Sequence, residues 1–224
     1  MKNFWETSLV LSMLLLASCT ESTTTAGQQE KQSRTDHLPF YNDPFFTPRW
    51  LLPGSDSLHG FHKISPFTLV NQLGDTITEK TFEGKIYVAD FFFTICPGIC
   101  PKMTENMNLV QEAFKDDDEV LLLSHSVTPE RDTVAVLRKY AGRKGVTAGK
   151  WHLATGDRDH IYSLGRQDYF AEEDLGISKS ADDFLHTENF ILVDGNRHIR
   201  GLYNGINKAS VQQLIADIKT LKKE

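Results

Sequence analysis

Two cysteines stand four positions apart in Phe93-Thr94-Ile95-Cys96-Pro97-Gly98-Ile99-Cys100-Pro101, where the pattern changes from strand to helix. Before them, Lys85 to Thr94 is a near-continuous apolar and aromatic run, which suits a strand buried on both faces of a sheet. After them, Met103, Met107, Val110 and Phe114 recur at helical spacing between Pro101 and about Lys115, and Pro101 suits a first helical position. A helix N-terminus carries unpaired N–H groups and roughly half a positive charge, which stabilises a thiolate and lowers a cysteine pKa. Pro97 and Gly98 force a turn, so the two sulfurs can converge on one point. Converging thiolates suit either a redox-active disulfide or a soft ion such as Cu(I) or Zn(II). Closing so short a loop removes little chain entropy, so a purely stabilising bond is the weaker reading.

The surrounding pattern supplies a scaffold for that loop. Ser65 to Asn71 reads as a strand, and Leu73-Gly74-Asp75-Thr76 as a turn into a short second one. Glu119 to Val127 is a further buried strand. Asp132 can cap a helix running to about Gly142, with Val134, Leu137 and Tyr140 on its apolar face. Trp151 to Thr155 predicts a strand and Asp157 to Tyr169 a helix. Phe190 to Val193 and His198 to Tyr203, joined through Asp194-Gly195-Asn196, predict a hairpin, and Lys208 to Lys222 a closing helix with Val211, Leu214, Ile215 and Ile218 on one face. Strand and helix alternate and a hairpin and helix finish, which is the thioredoxin order with additions. The expected fold is an α/β thioredoxin-like sandwich: a mixed central sheet, helices on both faces and an added N-terminal hairpin.

Three blocks carry a family resemblance: Phe91 to Met103 around the two cysteines, Ser126-Val-Thr-Pro-Glu-Arg-Asp-Thr133, and Leu185-His186-Thr187 followed by Phe190-Ile-Leu-Val-Asp194-Gly195. In this order they resemble the SCO/SenC family of thioredoxin-fold copper proteins, over about Lys63 to the end of the chain. The resemblance implies copper, as Cu(I), Cu(II) or both, with Cys96 and Cys100 as thiolate ligands and His186 as the imidazole ligand. It also implies a partner, the copper-accepting subunit of a respiratory oxidase, since family members help to mature the copper site of cytochrome c oxidase and some reduce its cysteines. Thr128-Pro129 stands where the family has Asp-Pro, and Gly98 where an acidic residue is common between the cysteines.

Of eight histidines, residue context favours few as a third ligand. His37, His59 and His62 precede the core and read as surface residues, His152 as packing, and His160 and His198 as solvent-facing. His125, late in a buried strand beside the cysteine strand, is the second candidate after His186, which follows Asp182-Asp183 in a loop. Asp90 lies six residues before Cys96 inside the apolar strand; it is either a buried proton acceptor with a raised pKa or a group pointing to a polar sheet edge. The rival to a copper chaperone is thus a thiol-disulfide oxidoreductase using Cys96, Cys100 and Asp90, with Cys96 attacking first. No proline follows Pro129, so the cis-proline that clamps peptides in thioredoxins has no counterpart before Phe190, and a broad-substrate reductase is disfavoured.

At the amino terminus Lys2 precedes an apolar run from Leu9 to Ala17, about half of the roughly 20 residues needed to cross a bilayer. It reads as a secretory signal over residues 1–18. Leu16-Ala17-Ser18-Cys19 resembles a bacterial lipobox, which implies cleavage before Cys19 and lipid on its sulfur, anchoring the chain to a membrane of the cell envelope with the domain facing the periplasm. Residues 19–36 contain no large apolar side chain and predict a tether. Residues 37–61, with prolines interleaved among aromatic and leucine side chains, predict an extended segment packed on the core, and residues 62–224 the thioredoxin-like domain. With 24 Lys+Arg against 30 Asp+Glu the net charge is −6, which gives no basic surface for nucleic acid.

Overall fold

Residues 32–171 and 187–224 are described by the computed structural model. The first two strands, β1 (Thr68–Val70) and β2 (Thr76–Thr78), pair antiparallel as a small hairpin. The main sheet contains β3 (Ile86–Phe92), β4 (Val120–Ser126), β5 (Trp151–Ala154), β6 (Asn189–Val193) and β7 (Ile199–Asn204). Its order is β5-β4-β3-β6-β7. β3, β4 and β5 run parallel, whereas β6 is antiparallel to β3 and β7 to β6. Helices α1 (Cys100–Ala113), α2 (Val134–Lys144), α3 (Arg158–Ser163) and α4 (Lys208–Leu221) complete the domain. This is the expected mixed sheet with an added hairpin.

Side-chain alternation along β3 explains why the run is apolar without interruption, since every residue from Ile86 to Phe92 is buried. Ile86, Val88 and Phe92 enter the core beneath α1, α2 and α4, together with Met103, Met107, Val110, Leu137, Val211 and Ile218. Tyr87, Ala89 and Phe91 face the other way, toward Leu69 and Ile77 of the hairpin and Ile161 and Tyr162 of α3. Each face is therefore covered, and β3 needs apolar side chains at both parities.

Several predicted boundaries shift for local reasons. β1 is confined to Thr68–Val70, because beyond it Asn71 accepts from Leu73 and Asp75 through its side-chain oxygen and turns the chain. The predicted helix over 157–169 is α for only one and a half turns; Asp157 caps it, and Leu164–Asp168 widens to π geometry. Helix α2 is not capped by Asp132. Thr133 is its N-cap without a side-chain cap bond, and the helix runs past Gly142 to Lys144, where Gly145 at φ 72° closes it.

His198 is not solvent-facing. It is 4% exposed, its Nδ1 lies 2.9 Å from the His62 carbonyl, and its ring packs edge-on to Phe40. His62 is half-buried, with Nε2 2.7 Å from the Asp168 carbonyl. Next to His198, the guanidinium of Arg200 gathers the ends of the described chain. It donates to the carbonyls of Leu38 and Pro39 and to the carboxylates of Asp194 and Glu224, and lies 3.8 Å from the Phe40 ring centre. Among the described residues no helix is long and apolar enough to cross a membrane.

Removing one side of a buried, hydrogen-bonded charge cluster leaves the others unpaired. Arg200→Ala is expected to lower unfolding free energy by about 3–5 kcal/mol, read as a shifted urea midpoint with little change in slope. A loss under about 1 kcal/mol would show that this cluster does not hold the segment.

Candidate metal and redox site

The chain leaves β3 at Phe92 and enters α1 at Cys100, so residues 93–99 form the loop that presents the thiols. Cys100 is itself the first helical residue and Pro101 the second, one position later than the sequence predicts, because the Ile99 carbonyl already accepts from the N–H groups of Lys102 and Met103. Cys100 is 4% exposed and packs into the core, whereas Cys96 is half-buried, and both are free thiols. Phe93, Thr94, Cys96, Cys100, Pro101, Tyr140, Arg143 and Lys144 line a hollow of about 320 Å³. Ile95 and Ile99 stand exposed beside it.

The two thiols are electrostatically unequal. Burial alone would raise the Cys96 pKa, but the Cys100 thiol and the backbone N–H groups of Cys100, Gly98 and Ile99 stabilise its thiolate, and the balance is a lowered value. Burial pushes the Cys100 thiol up to about 12, reinforced by its hydrogen bond with Cys96 and by Asp90. The helix start therefore favours Cys96 as the thiolate, and Cys100 keeps its proton.

Asp90 shares the parity of Val88 and Phe92, which places it on the α1 side of the sheet. It is 2% exposed, so the polar-edge alternative does not hold. Burial raises its pKa to about 7, opposed by a hydrogen bond with Ser124, and Oδ1 has no partner. His125 has the opposite parity. Its ring stacks on Phe91 at 4.7 Å, within the hairpin-side core, and burial lowers its pKa to about 4. The second-choice histidine thus lies across the sheet from the cysteines, because alternation along β4 sends it there.

Asp132, which sequence reasoning assigned to a helix cap, is a buried clamp on the cysteine loop. It is 1% exposed and accepts from the Thr94 N–H at 3.2 Å, the Thr94 hydroxyl at 2.5 Å, the Ser126 hydroxyl at 2.6 Å and the Thr128 hydroxyl at 3.1 Å. Thr94 lies two residues before Cys96, so the carboxylate ties the loop to the end of β4. Tyr140 ties the helix side: its hydroxyl lies 2.8 Å from that of Thr104, which donates to the Cys100 carbonyl. The signal in the sequence is three hydroxyl residues, Thr94, Ser126 and Thr128, at ends of adjacent strands.

His186 and Cys19 lie outside the described residues. The described chain resumes at Thr187, and continuing the β3–β6 register places Asn189, the first residue of β6, level with Phe91, at the end of the sheet where the cysteine loop departs. Among the described residues no third His, Cys, Asp or Glu joins the two thiols as a metal-holding group. Two soft sulfurs, one of them a favoured thiolate, fit a soft cation or a disulfide and do not fit a hard ion.

Residues 55–223 match the SCO1/SenC family model. Solved structures that the chain resembles include the following three. BsSco, described as a member of the Sco family of cytochrome c oxidase assembly proteins with a disulfide switch, is 30% identical; the match covers 72% of this chain and 94% of that one, with a TM-score of 0.62. A SCO1/SenC family lipoprotein from Bacillus anthracis is 29% identical over 72% and 95%, with a TM-score of 0.63. ScoI from Bradyrhizobium japonicum, solved with copper bound, is 27% identical over 71% and 97%, with a TM-score of 0.54.

Two measurements test this geometry. Iodoacetamide alkylates thiolates, so Cys96 in the reduced protein is expected to react at least about tenfold faster than Cys100 at pH 7.5. Its rate should rise through a midpoint below the ordinary thiol value, and Cys100→Ala should move that midpoint upward by removing the side-chain hydrogen bond to the thiolate. Equal rates would remove the asymmetry. Asp132→Ala strands buried hydroxyl donors and is expected to cost about 2–3 kcal/mol of stability, against under about 1 kcal/mol for a surface change such as Glu130→Ala.

Proposed function

The chain belongs to the SCO1/SenC family, and from that premise we propose that it is a membrane-anchored copper chaperone for the copper site of cytochrome c oxidase. The observation that carries this reading is the unequal thiol pair at the start of α1, a favoured thiolate at Cys96 beside a buried, protonated Cys100. Copper is the cargo. Cys96 and Cys100 supply soft sulfur ligands, and His186 supplies an imidazole from the segment that leads into β6. Binding copper displaces the Cys100 proton. Support comes from the copper held by ScoI of Bradyrhizobium japonicum and from the assembly role of BsSco.

Cys19 is the lipid attachment point in this reading, after removal of residues 1–18. The lipidated relative in Bacillus anthracis supports it. Residues 19–36 then serve as the tether that holds the domain on the periplasmic side of a bacterial membrane.

The disulfide switch of BsSco favours a second reading, reduction of a specific partner's disulfide. The Cys96 thiolate attacks one partner sulfur, forming a mixed disulfide and releasing the other as a thiolate. Cys100 then loses its proton to Asp90 and attacks Cys96, which breaks the mixed bond, leaves a Cys96–Cys100 disulfide and frees the partner's second sulfur as a thiolate, the two partner thiolates taking up protons from Asp90 and water. The buried carboxylate with its raised pKa is suited to that proton.

Titrating Cu(I) into the reduced protein under a competing chelator separates the two. One-to-one binding is expected, weakened at least about tenfold in His186→Ala, since even supporting groups of metal sites cost that much when removed. Binding that is weak and indifferent to His186 would overturn the chaperone reading and leave the dithiol as a redox couple.

A further inference from the structure

Large apolar side chains are unevenly displayed on this domain. Phe45 is 77% exposed, Leu52 70% and Trp50 54%, all within eight residues of one another, and the first two are the most exposed large apolar groups among the described residues. The backbone that carries them is held in place. Phe40 and Arg49 exchange N–H···O bonds of 2.9 Å, Tyr41 N–H donates to the Ile199 carbonyl, and the Asn42 side-chain oxygen accepts from His62 N–H. At the turn, Asp43 accepts from Phe45 and Phe46, and Phe46 adopts a left-handed φ of 50°. That conformation sends Phe46 inward against Tyr41 and Phe170 and leaves Phe45 pointing out. The strain and the exposure occur together, in a loop the copper and thiol chemistry does not use.

We propose that this excursion, from Asp43 to Leu52, docks into the interface of a lipid bilayer through Phe45, Trp50 and Leu52. An aromatic ring with a polar edge, a phenyl ring and an aliphatic chain are the mixture that bilayer interfaces take up. Charge does not drive the docking. Between residues 34 and 56 two arginines, Arg34 and Arg49, are offset by three aspartates, Asp36, Asp43 and Asp56, so this segment carries no basic excess to seek anionic lipid.

Chain length names the occupant. His37 packs edge-on to Trp50 at 5.6 Å, and only 17 residues lie between Cys19 and His37, a reach of about 60–65 Å at most when fully extended. The use of Cys19 as anchor rests on the lipidation reading above; with it, Trp50, in contact with His37, is held within that reach of the bilayer surface. Tyr41 joins the sheet at Ile199, which pairs with Val193 and so lies near the Tyr87 end of β3. The cysteine loop leaves β3 at the opposite end. The patch runs along the β7 edge of the sheet, since Trp50 shares a groove with Leu202, Tyr203 and Asn207, so docking lays that edge on the lipid.

Trp50 reports on its own docking. Of Trp5, Trp50 and Trp151, the last is 1% exposed, and a Trp50→Phe variant isolates the Trp50 signal by difference whether or not residue 5 is retained. The full chain, matured in a bacterial host and examined by mass spectrometry for lipid on Cys19, is reconstituted into vesicles of plain or acyl-brominated phosphatidylcholine. Trp50 emission is expected to fall about twofold or more in the brominated vesicles, nearly independently of salt or added phosphatidylglycerol. Phe45→Ser with Leu52→Ser should restore at least half of the lost emission without changing Cu(I) binding. Unquenched Trp50 in a chain that carries the lipid would sink the docking proposal while leaving the anchor intact. If Cys19 proves unmodified, the anchor reading fails separately, and the same protein added to preformed brominated vesicles decides docking by quenching or its absence. Self-association by sedimentation that buries Trp50 without quenching would assign the patch to a second copy and overturn the proposal.

Discussion

Everything at the cysteine end depends on the burial of β3. Its backbone is bonded on both edges, to β4 on one side and β6 on the other, and its side chains alternate between two separate cores. A strand so held cannot slip by one residue without exchanging the contents of the two faces. The Val127 N–H bond to the Phe92 carbonyl at 2.9 Å carries the pairing to the last residue before the loop. On the far side of the loop, Met103, Met107 and Val110 fix α1 against the same core. Residues 93–99 therefore bridge two immobile points, and the position of the thiols is set by the packing of the whole domain. The loop can leave Pro97, Gly98 and Ile99 exposed because its own packing is not what locates it.

Two buried carboxylates on the same side of the sheet have different uses because they are differently satisfied. Asp132 accepts hydrogen bonds from three side-chain hydroxyls and one N–H, which compensates for the loss of water and makes it a fixed part of the frame. Asp90 has the Ser124 hydroxyl, which also accepts from the Trp151 indole, and an Oδ1 with no partner. A carboxylate so poorly compensated gains by taking up a proton. A framework needs the first kind of group, and proton exchange with a neighbouring thiol needs the second.

The elements that position the site are legible in the sequence because their signal is local. The run from Lys85 to Thr94 and the three-to-four spacing after Pro101 are periodicities within one segment, and the predicted strand and helix follow them. Asp132 is misread for the converse reason. An aspartate before a helix is most simply a cap, and its actual partner Thr94 is 38 residues away, brought near only when β3 and β4 pair. His198 fails in the same way, since its partner is the carbonyl of His62, 136 residues earlier. His125 was recoverable: it stands opposite Phe91, one residue out of phase with Asp90, and alternation alone assigns it to the other face. His186 is different again, because residue type does not separate it from seven other histidines, and the family resemblance singles it out.

The inequality of the two thiols bears on how a copper carrier can release what it binds. Were both sulfurs exposed and of low pKa, each would hold copper without competition from protons, and transfer would have to break two strong bonds in sequence. Here burial pushes Cys100 up to about 12, so a proton competes for that sulfur throughout the neutral range. In the proposed reading, a partner thiolate that displaces Cys100 from the metal is assisted by the return of this proton. Cys96, half-buried and flanked by exposed Ile95 and Ile99, remains the last contact and the one an incoming partner can reach. In that proposed reading the order of release would follow from burial: the inner sulfur would be recaptured by its proton, and the outer one would pass the metal on. The same asymmetry serves the disulfide reading, in which the outer thiolate attacks and the inner thiol resolves.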